Sequence, residues 1–180
     1  MIKIKGLKKS FGNKLVLNNL STTFSEGKIN LIIGRSGSGK TVAIKSMLGL
    51  HNIDSGGIFF DQRNFSIMND VERKKIRKEI GMVFQGGALF DSMTIEENLS
   101  VPLIMFSKKN KKEIKDRVNF CLDRVNLENV NNFFPSDLSG GMQKRVAIAR
   151  AIVLNPKYLF CDEPNSGLDP YTATVIDELL

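Results

Sequence analysis

Apolar and polar positions alternate over Met1-Ile2-Lys3-Ile4-Lys5, the period of a half-buried strand. Short strand signals follow at residues 15–17 and 20–24, divided by the turn Phe11-Gly12-Asn13-Lys14 and closed by Glu26-Gly27-Lys28. This pattern predicts a small antiparallel sheet. The unbroken apolar run Ile29-Asn30-Leu31-Ile32-Ile33 predicts a buried strand, and residues 42–50 are apolar at helical spacing. Residues 58–60 predict another strand, 68–78 a helix, and 80–85 a core strand ending in Gln85.

From residue 86 to 138 strand signals fade. Thr94 predicts a helix cap for residues 95–103, interrupted by Pro102. Ile114, Val118, Cys121, Leu122 and Val125 form a helical stripe within residues 109–125, which fits core packing better than a cofactor site. A further helix is predicted at 144–154, and Tyr158-Leu159-Phe160-Cys161 is an apolar strand run. The whole reads as an α/β core with an N-terminal antiparallel β subdomain and a helical insertion.

Composition narrows this picture modestly. At 180 residues and 42% hydrophobic, the chain can bury one core. No apolar run approaches the ~18 residues of a membrane helix, and the N-terminus has no apolar signal region; a cytosolic protein is expected. Cys161 lies inside an apolar strand, so a buried structural thiol is expected there. The formal charge of +7 permits nucleic acid or an anionic membrane surface. The densest basic patches, at 73–78 and 108–115, are interleaved with carboxylates and fit solvated helix faces. No groove-reading motif accompanies them, so nucleic acid is not the expected partner.

The chemistry centres on Gly34-Arg35-Ser36-Gly37-Ser38-Gly39-Lys40-Thr41. It fits the phosphate-binding loop G-x-x-x-x-G-K-[ST], and it sits between a predicted strand and a predicted helix, the context that motif requires. Glycines let the backbone turn tightly and aim successive N–H groups at one point. The helix after them adds unpaired N–H groups and the positive end of its dipole. Lys40 is expected to reach the β- and γ-phosphates and the Thr41 hydroxyl to coordinate Mg²⁺.

Downstream, the run from Tyr158 ends in Asp162 and Glu163. As a strand of the P-loop's sheet, it would deliver Asp162 to the Mg²⁺ beside Thr41. Glu163 would then polarise an attacking water. Leu138-Ser139-Gly140-Gly141-Met142-Gln143 precedes the helix at 144–154. Ser139 can cap that helix and the glycines expose its N–H groups, making a second anion-binding helix start. One P-loop already holds a triphosphate, so this second start suggests contact with a nucleotide on another copy. Phe11, beside a turn, fits a strand-end core residue better than an adenine platform on its own evidence. His51, the single histidine, has no companion ligand nearby and is expected at the surface.

Taken in order, these motifs resemble the ATP-binding cassette (ABC) family over essentially all of the chain: the P-loop, Gln85 ending a strand, residues 138–143 as the signature, residues 160–163 as Walker B, and Ser166-Gly167-Leu168-Asp169 as the D-loop. The resemblance implies a P-loop NTPase (RecA-like) ABC ATPase core, with residues 1–85 and 139–180 as the nucleotide-binding core and 86–138 as the helical subdomain of a single domain. It implies ATP and Mg²⁺, with Phe11 and residues Gly34, Arg35, Ser36, Gly37, Ser38, Gly39, Lys40 and Thr41 on the nucleotide. Ser139, Gly140, Gly141 and Gln143 would close over ATP held by a second cassette paired head to tail. Thr41, Gln85 and Asp162 would serve the metal, Gln85 and Glu163 the catalysis. Phe11 becomes the adenine-stacking residue, against the reading from the residue alone.

A narrower stretch, Val83-Phe84-Gln85-Gly86-Gly87-Ala88-Leu89-Phe90-Asp91-Ser92-Met93-Thr94, is similar to the Mla-type phospholipid-transport ATPases. It implies a permease docked near residues 86–94, a lipid-binding partner protein, and a place on the inner face of the membrane held through that permease. Cassettes of this family continue past the D-loop to a switch histidine; this sequence stops at Leu180, which reads as a cassette incomplete at its C-terminus. A cassette serving another importer or exporter, a soluble cassette acting on nucleic acid or ribosomes, and an ATP-binding cassette with little hydrolysis are the alternatives.

Overall fold

The computed structural model describes residues 1–179, which form two units, one of residues 1–77 and one from residue 78 onward.

The first unit is built on a four-stranded antiparallel sheet. Its strands are β1 (Ile2–Phe11), β2 (Lys14–Phe24), β3 (Ser55–Phe60) and β4 (Arg63–Asn64), in the order β2-β1-β3-β4. The alternation in β1 does what its period requires: Ile2, Ile4 and Leu7 are buried while Lys3 and Lys5 face outward. The two weak strand signals at 15–17 and 20–24 are one strand. Its register against β1 slips between Ile4 and Ser10, where Gly6 and Asn19 take positive φ angles of 58° and 54°. Two short helices complete the unit, α1 (Lys40–Met47) and α2 (Asp70–Arg77). Ala43, Ile44 and Met47 of α1 are buried, and Phe60 of β3 packs edge-on against Phe65 at 5.4 Å.

The expected strand at residues 29–33 does not form. The segment takes no regular secondary structure and pairs with no strand among the described residues, and Ile29, Leu31 and Ile33 are 85%, 78% and 85% exposed. Apolarity favours burial, yet a strand also needs a neighbour for its N–H and C=O groups. That neighbour is a non-local feature the run itself does not encode.

The second unit holds a two-stranded parallel sheet, β5 (Ile80–Val83) and β6 (Tyr158–Cys161), paired in register from Ile80–Tyr158 to Val83–Cys161. Around it lie α3 (Ile95–Phe106), α4 (Lys111–Asp123), α5 (Gly140–Ile152) and α6 (Pro170–Leu179). The starts of α3 and α4 carry full capping boxes, Thr94 with Glu97 and Asn110 with Glu113. Pro102 does not interrupt α3: the helix runs through it to Phe106, held on either side by the buried Leu99 and Leu103. Proline costs a helix one N–H bond, but its fixed φ is already helical. The stripe Val118, Cys121, Leu122 and Val125 is buried in one cluster with Val146, Ile148 and Ala149 of α5, so it is core, as expected. α5 approaches β5 closely; a Cβ on Gly81 would stand 2.3 Å from the Ala151 carbonyl oxygen. Both cysteines are free thiols, and burial pushes that of Cys161 up to about 11, leaving it neutral and unreactive. Among the described residues, no helix is long and apolar enough to cross a membrane.

Candidate nucleotide site

In the first unit, the glycine-rich loop turns through Gly37 and Gly39, with φ angles of 75° and 99°. A side chain would be strained at both. At Gly34, a Cβ would stand 2.6 Å from the Ser38 hydroxyl oxygen, so the loop closes on itself there. The Ser38 N–H donates to the Arg35 carbonyl at 3.1 Å, and Arg35, Ser36, Gly37 and Ser38 are all exposed. Gly39 is the N-cap of α1, no side chain caps that end, and the first turn carries no acidic residue. The helix start therefore keeps its positive pole for an anion. Lys40 opens the helix, and its ammonium donates to the Gly34 carbonyl at 3.0 Å and the Arg35 carbonyl at 3.4 Å, so it lies over the loop. Thr41 follows it, half-buried.

Phe11 ends β1 and is 45% exposed, which removes the strand-end core reading. The Lys9 ammonium sits over its ring at 5.0 Å, and His51 meets it edge-on at 5.2 Å. His51, expected at the surface, is half-buried by that contact.

The second unit assembles the other candidates. Asp162 follows β6 and is buried; its N–H donates to the Val83 carbonyl at 2.9 Å, extending the parallel pairing by one residue. The chain then kinks, and Glu163 takes a positive φ of 50°. For a residue with a Cβ this is a sparsely populated conformation of the kind that recurs at functional sites. It places an exposed carboxylate where the Gln85 amide reaches it: Gln85 Nε2 donates to Glu163 Oε2 at 3.0 Å and to the Ser166 hydroxyl at 3.2 Å. The two candidate catalytic residues, 78 positions apart in sequence, are in direct contact.

At the start of α5, the Ser139 hydroxyl accepts from the Met142 N–H at 3.3 Å, the N-cap expected of it. The two glycines beside it differ. A Cβ on Gly141 would stand 2.5 Å from the Thr172 methyl, so packing against α6 requires glycine there. At Gly140, no atom of the described residues outside its own helix and chain neighbours lies within 4 Å of a Cβ. Nothing among the described residues demands glycine at that position, which leaves an open approach to the helix start. The Gln143 amide turns back and donates to the carbonyls of Pro135 at 2.9 Å and Leu138 at 3.2 Å, holding the loop that leads into the helix.

Three residues that the sequence analysis passed over organise the loop after Gln85. The buried Lys144 ammonium, its pKa lowered by desolvation, donates to the Gln85 carbonyl. The Arg150 guanidinium donates to the Gly87 carbonyl at 2.9 Å and lies 5.8 Å from the Phe90 ring. Both cations stand on α5, so the helix that begins with Ser139 also carries the backbone of the loop at Gln85 and Gly87. Asn98 of α3 is fully buried: its Oδ1 accepts from the Phe90 N–H at 2.8 Å, and its Nδ2 donates to the carbonyls of Phe90, Met93 and Thr94 at 3.0–3.1 Å. A lysine or asparagine inside a helix carries no local mark of such a role. Asn98→Ala is expected to leave these groups unpaired and lower stability by about 2–3 kcal/mol, or roughly 5–10 °C in thermal midpoint. A midpoint within a degree or so of the parent would show that Asn98 does not hold the loop.

The model of the family described as ABC transporter matches residues 17–166. The chain belongs to the ABC transporter family. It is 43% identical over 180 residues to the methionine import ATP-binding protein MetN of Clostridium tetani (strain Massachusetts / E88), covering 100% of this chain and 56% of that protein. It is 39% identical over 179 residues to the probable ribonucleotide transport ATP-binding protein mkl of Mycobacterium leprae (strain TN), covering 99% and 52%. The chain thus spans about half the length of the curated relatives it matches. Among solved structures, the ATP-binding cassette MJ0796, dimeric and bound to ADP and Pi in a post-hydrolysis state, aligns with a TM-score of 0.90 at 35% identity over 99% of this chain and 81% of that one. The fold is accordingly the α/β P-loop fold of ABC cassettes.

Proposed function

We propose that this chain is the ATP-binding and hydrolysing subunit of an ABC transporter, working on a separate membrane-spanning permease. The observation that supports this most is the pairing, in one chain, of an uncapped P-loop helix start at Gly39 with a second helix start at Ser139 whose Gly140 faces open space. The first binds the phosphates of one ATP through the backbone N–H groups of residues 34–39 and through Lys40, with the Phe11 ring under the adenine. The second, with Ser139, Gly140 and Gly141, takes the γ-phosphate of an ATP held by another copy, and Gln143 fixes the loop that presents it. Thr41, Gln85 and Asp162 offer Mg²⁺ the hard oxygen ligands it prefers. Glu163 takes the proton of the attacking water, oriented by the Gln85 amide.

The permease docks at residues 86–94, where Phe90 is exposed, Ala88 has a positive φ of 52°, and Asn98 and Arg150 hold the backbone in shape. This puts the chain on the inner face of the membrane. The solute is phospholipid in our reading, resting on the resemblance of residues 83–94 to the Mla-type ATPases, with a lipid-binding protein as a further partner. Methionine is the competing solute, favoured by the 43% identity to MetN. Affinity purification of the native gene product from its own membranes, with mass spectrometry of co-purifying proteins and lipids, tests the reading. A multi-span permease with bound phospholipid is expected. A permease that instead binds methionine keeps the motor and replaces the solute, and recovery with ribosomes and no permease overturns both.

A further inference from the structure

The connection between α3 and α4 joins two features that the nucleotide chemistry does not use. On α3, Ile95, Leu99 and Leu103 face the core, and the last turn leaves Ile104 and Met105 outward at 67% and 64% exposure. The two side chains make a small apolar patch that packing among the described residues leaves uncovered. Immediately after them comes Lys108-Lys109-Asn110-Lys111-Lys112-Glu113-Ile114-Lys115-Asp116, five lysines against two carboxylates. All five lysines are exposed. Of the two carboxylates, Glu113 is engaged in the α4 capping box, accepting from the Asn110 N–H at 2.7 Å.

A cavity of about 520 Å³ opens at the same end of α3. The side chains of Lys78, Lys109 and Arg117 meet Leu103, Phe106 and Val153 around it. The Lys78 ammonium lies over the Phe106 ring at 5.8 Å. Arg117 is occupied with the carbonyls of Ile152 and Val153 at 2.9 and 2.8 Å, closing the end of α5. Lys78 and Lys109 remain as the cations beside an apolar wall.

We infer that the α3–α4 connection is a direct contact for an anionic lipid bilayer, with Ile104 and Met105 entering the interface and the lysines of residues 108–115 on the headgroup phosphates. Interfacial segments combine these two features: apolar side chains reach the acyl boundary, and long lysine stems let the ammonium groups stay with the headgroups. A solvated charged face has no need of exposed aliphatic neighbours. Single-stranded nucleic acid would need a stacking platform, and an isoleucine–methionine pair offers bases none. The charge excess complements phosphatidylglycerol or phosphatidylserine, each lysine near such a surface strengthening partitioning roughly fivefold. The contact lies outside the P-loop, Gln85 and Ser139 regions and does not rest on the function proposed above.

The test is co-sedimentation of the purified chain, without nucleotide or permease, with vesicles of phosphatidylcholine alone and of phosphatidylcholine with phosphatidylglycerol. The chain is expected to bind the anionic vesicles at least about tenfold more tightly, and raised salt should release it. The triple variant Lys109→Ser, Lys112→Ser, Lys115→Ser should lose binding about a hundredfold. The double variant Ile104→Ser, Met105→Ser should lose it severalfold while keeping its preference for anionic lipid. All five positions are exposed, and unchanged circular dichroism confirms that the variants fold. Equal binding to both vesicle types, no binding to either, or a triple variant that binds like the parent overturns the proposal. So does retention of poly(U) RNA with vesicles left unbound, which would give the patch to nucleic acid.

Discussion

Lys40→Ala is expected to weaken ATP binding at least about 100-fold, because the site loses the flexible cation at the β- and γ-phosphates. The ammonium already lies over the glycine loop, donating to the Gly34 and Arg35 carbonyls at 3.0 and 3.4 Å. Those two oxygens are weak neutral acceptors compared with a triphosphate, so the side chain exchanges them for charged ones at little cost in position. Each charge-assisted hydrogen bond contributes about 1.5–3 kcal/mol, and contacts to the β- and γ-phosphates together amount to roughly 3–4 kcal/mol. The backbone N–H groups of the loop and the α1 dipole remain in the variant, which keeps the loss finite. Folding should change little, since the side chain is only half-buried. Lys40→Arg should recover only part of the affinity: guanidinium keeps the charge but is a planar fork, too large for a point contact between two phosphates. Titration of a fluorescent ATP analogue at fixed Mg²⁺ reads both variants. An alanine variant that binds within threefold of the parent would remove Lys40 from the phosphate site.

What the sequence disclosed about these residues follows from how local their signals are. A P-loop is written within eight positions, since turn, donors and helix start are all made by neighbours in the chain; the positive φ angles at Gly37 and Gly39 are the kind that glycines at those places allow. Helix caps are equally local, so Thr94, Asn110 and Ser139 could be read as helix starts, and the first and last were. The apolar run at residues 158–161 was legible as a strand ending in carboxylates for the same reason. Pairing is different in kind. The run at residues 29–33 has the composition of a buried strand but no partner among the described residues, and three of its four large apolar side chains stay exposed. The contact between Gln85 and Glu163, and the clamp of Lys144 and Arg150 on the carbonyls after Gln85, join residues 59 to 78 positions apart. Lys144 and Arg150 sit in unremarkable local sequence, and Gln85 and Glu163, though each is marked by its motif, carry no local sign of one another, so only the fold reveals these contacts.

The Gln85–Glu163 contact carries the other large prediction. Glu163→Gln is expected to lower ATP turnover by about 100-fold to 10,000-fold, the range that a general base supplies, while ATP affinity stays within a few-fold. The substitution is nearly isosteric: the new side chain keeps an oxygen to accept from Gln85 Nε2, now 3.0 Å from Glu163 Oε2, so the positive-φ turn need not move. What disappears is the carboxylate's ability to take a proton from water, which an amide lacks. ATP should therefore bind and persist, and since the proposed function has two copies closing on it, the ATP-bound dimer should accumulate. Gln85→Ala keeps the base and removes what serves it, the donor to Glu163 and the amide oxygen proposed for Mg²⁺. Turnover should fall less than in Glu163→Gln, with the Glu163 carboxylate still in place. Lys144 and Arg150 stay on the carbonyls of Gln85 and Gly87 in both variants, so neither change releases the loop itself. Turnover by the native protein from its own membranes, with light scattering or cross-linking for the dimer, distinguishes the cases. Normal turnover in Glu163→Gln removes Glu163 as the base. Slow turnover without a trapped dimer places the loss before the two copies close rather than at the proton transfer, and so overturns the role of Glu163 as the base.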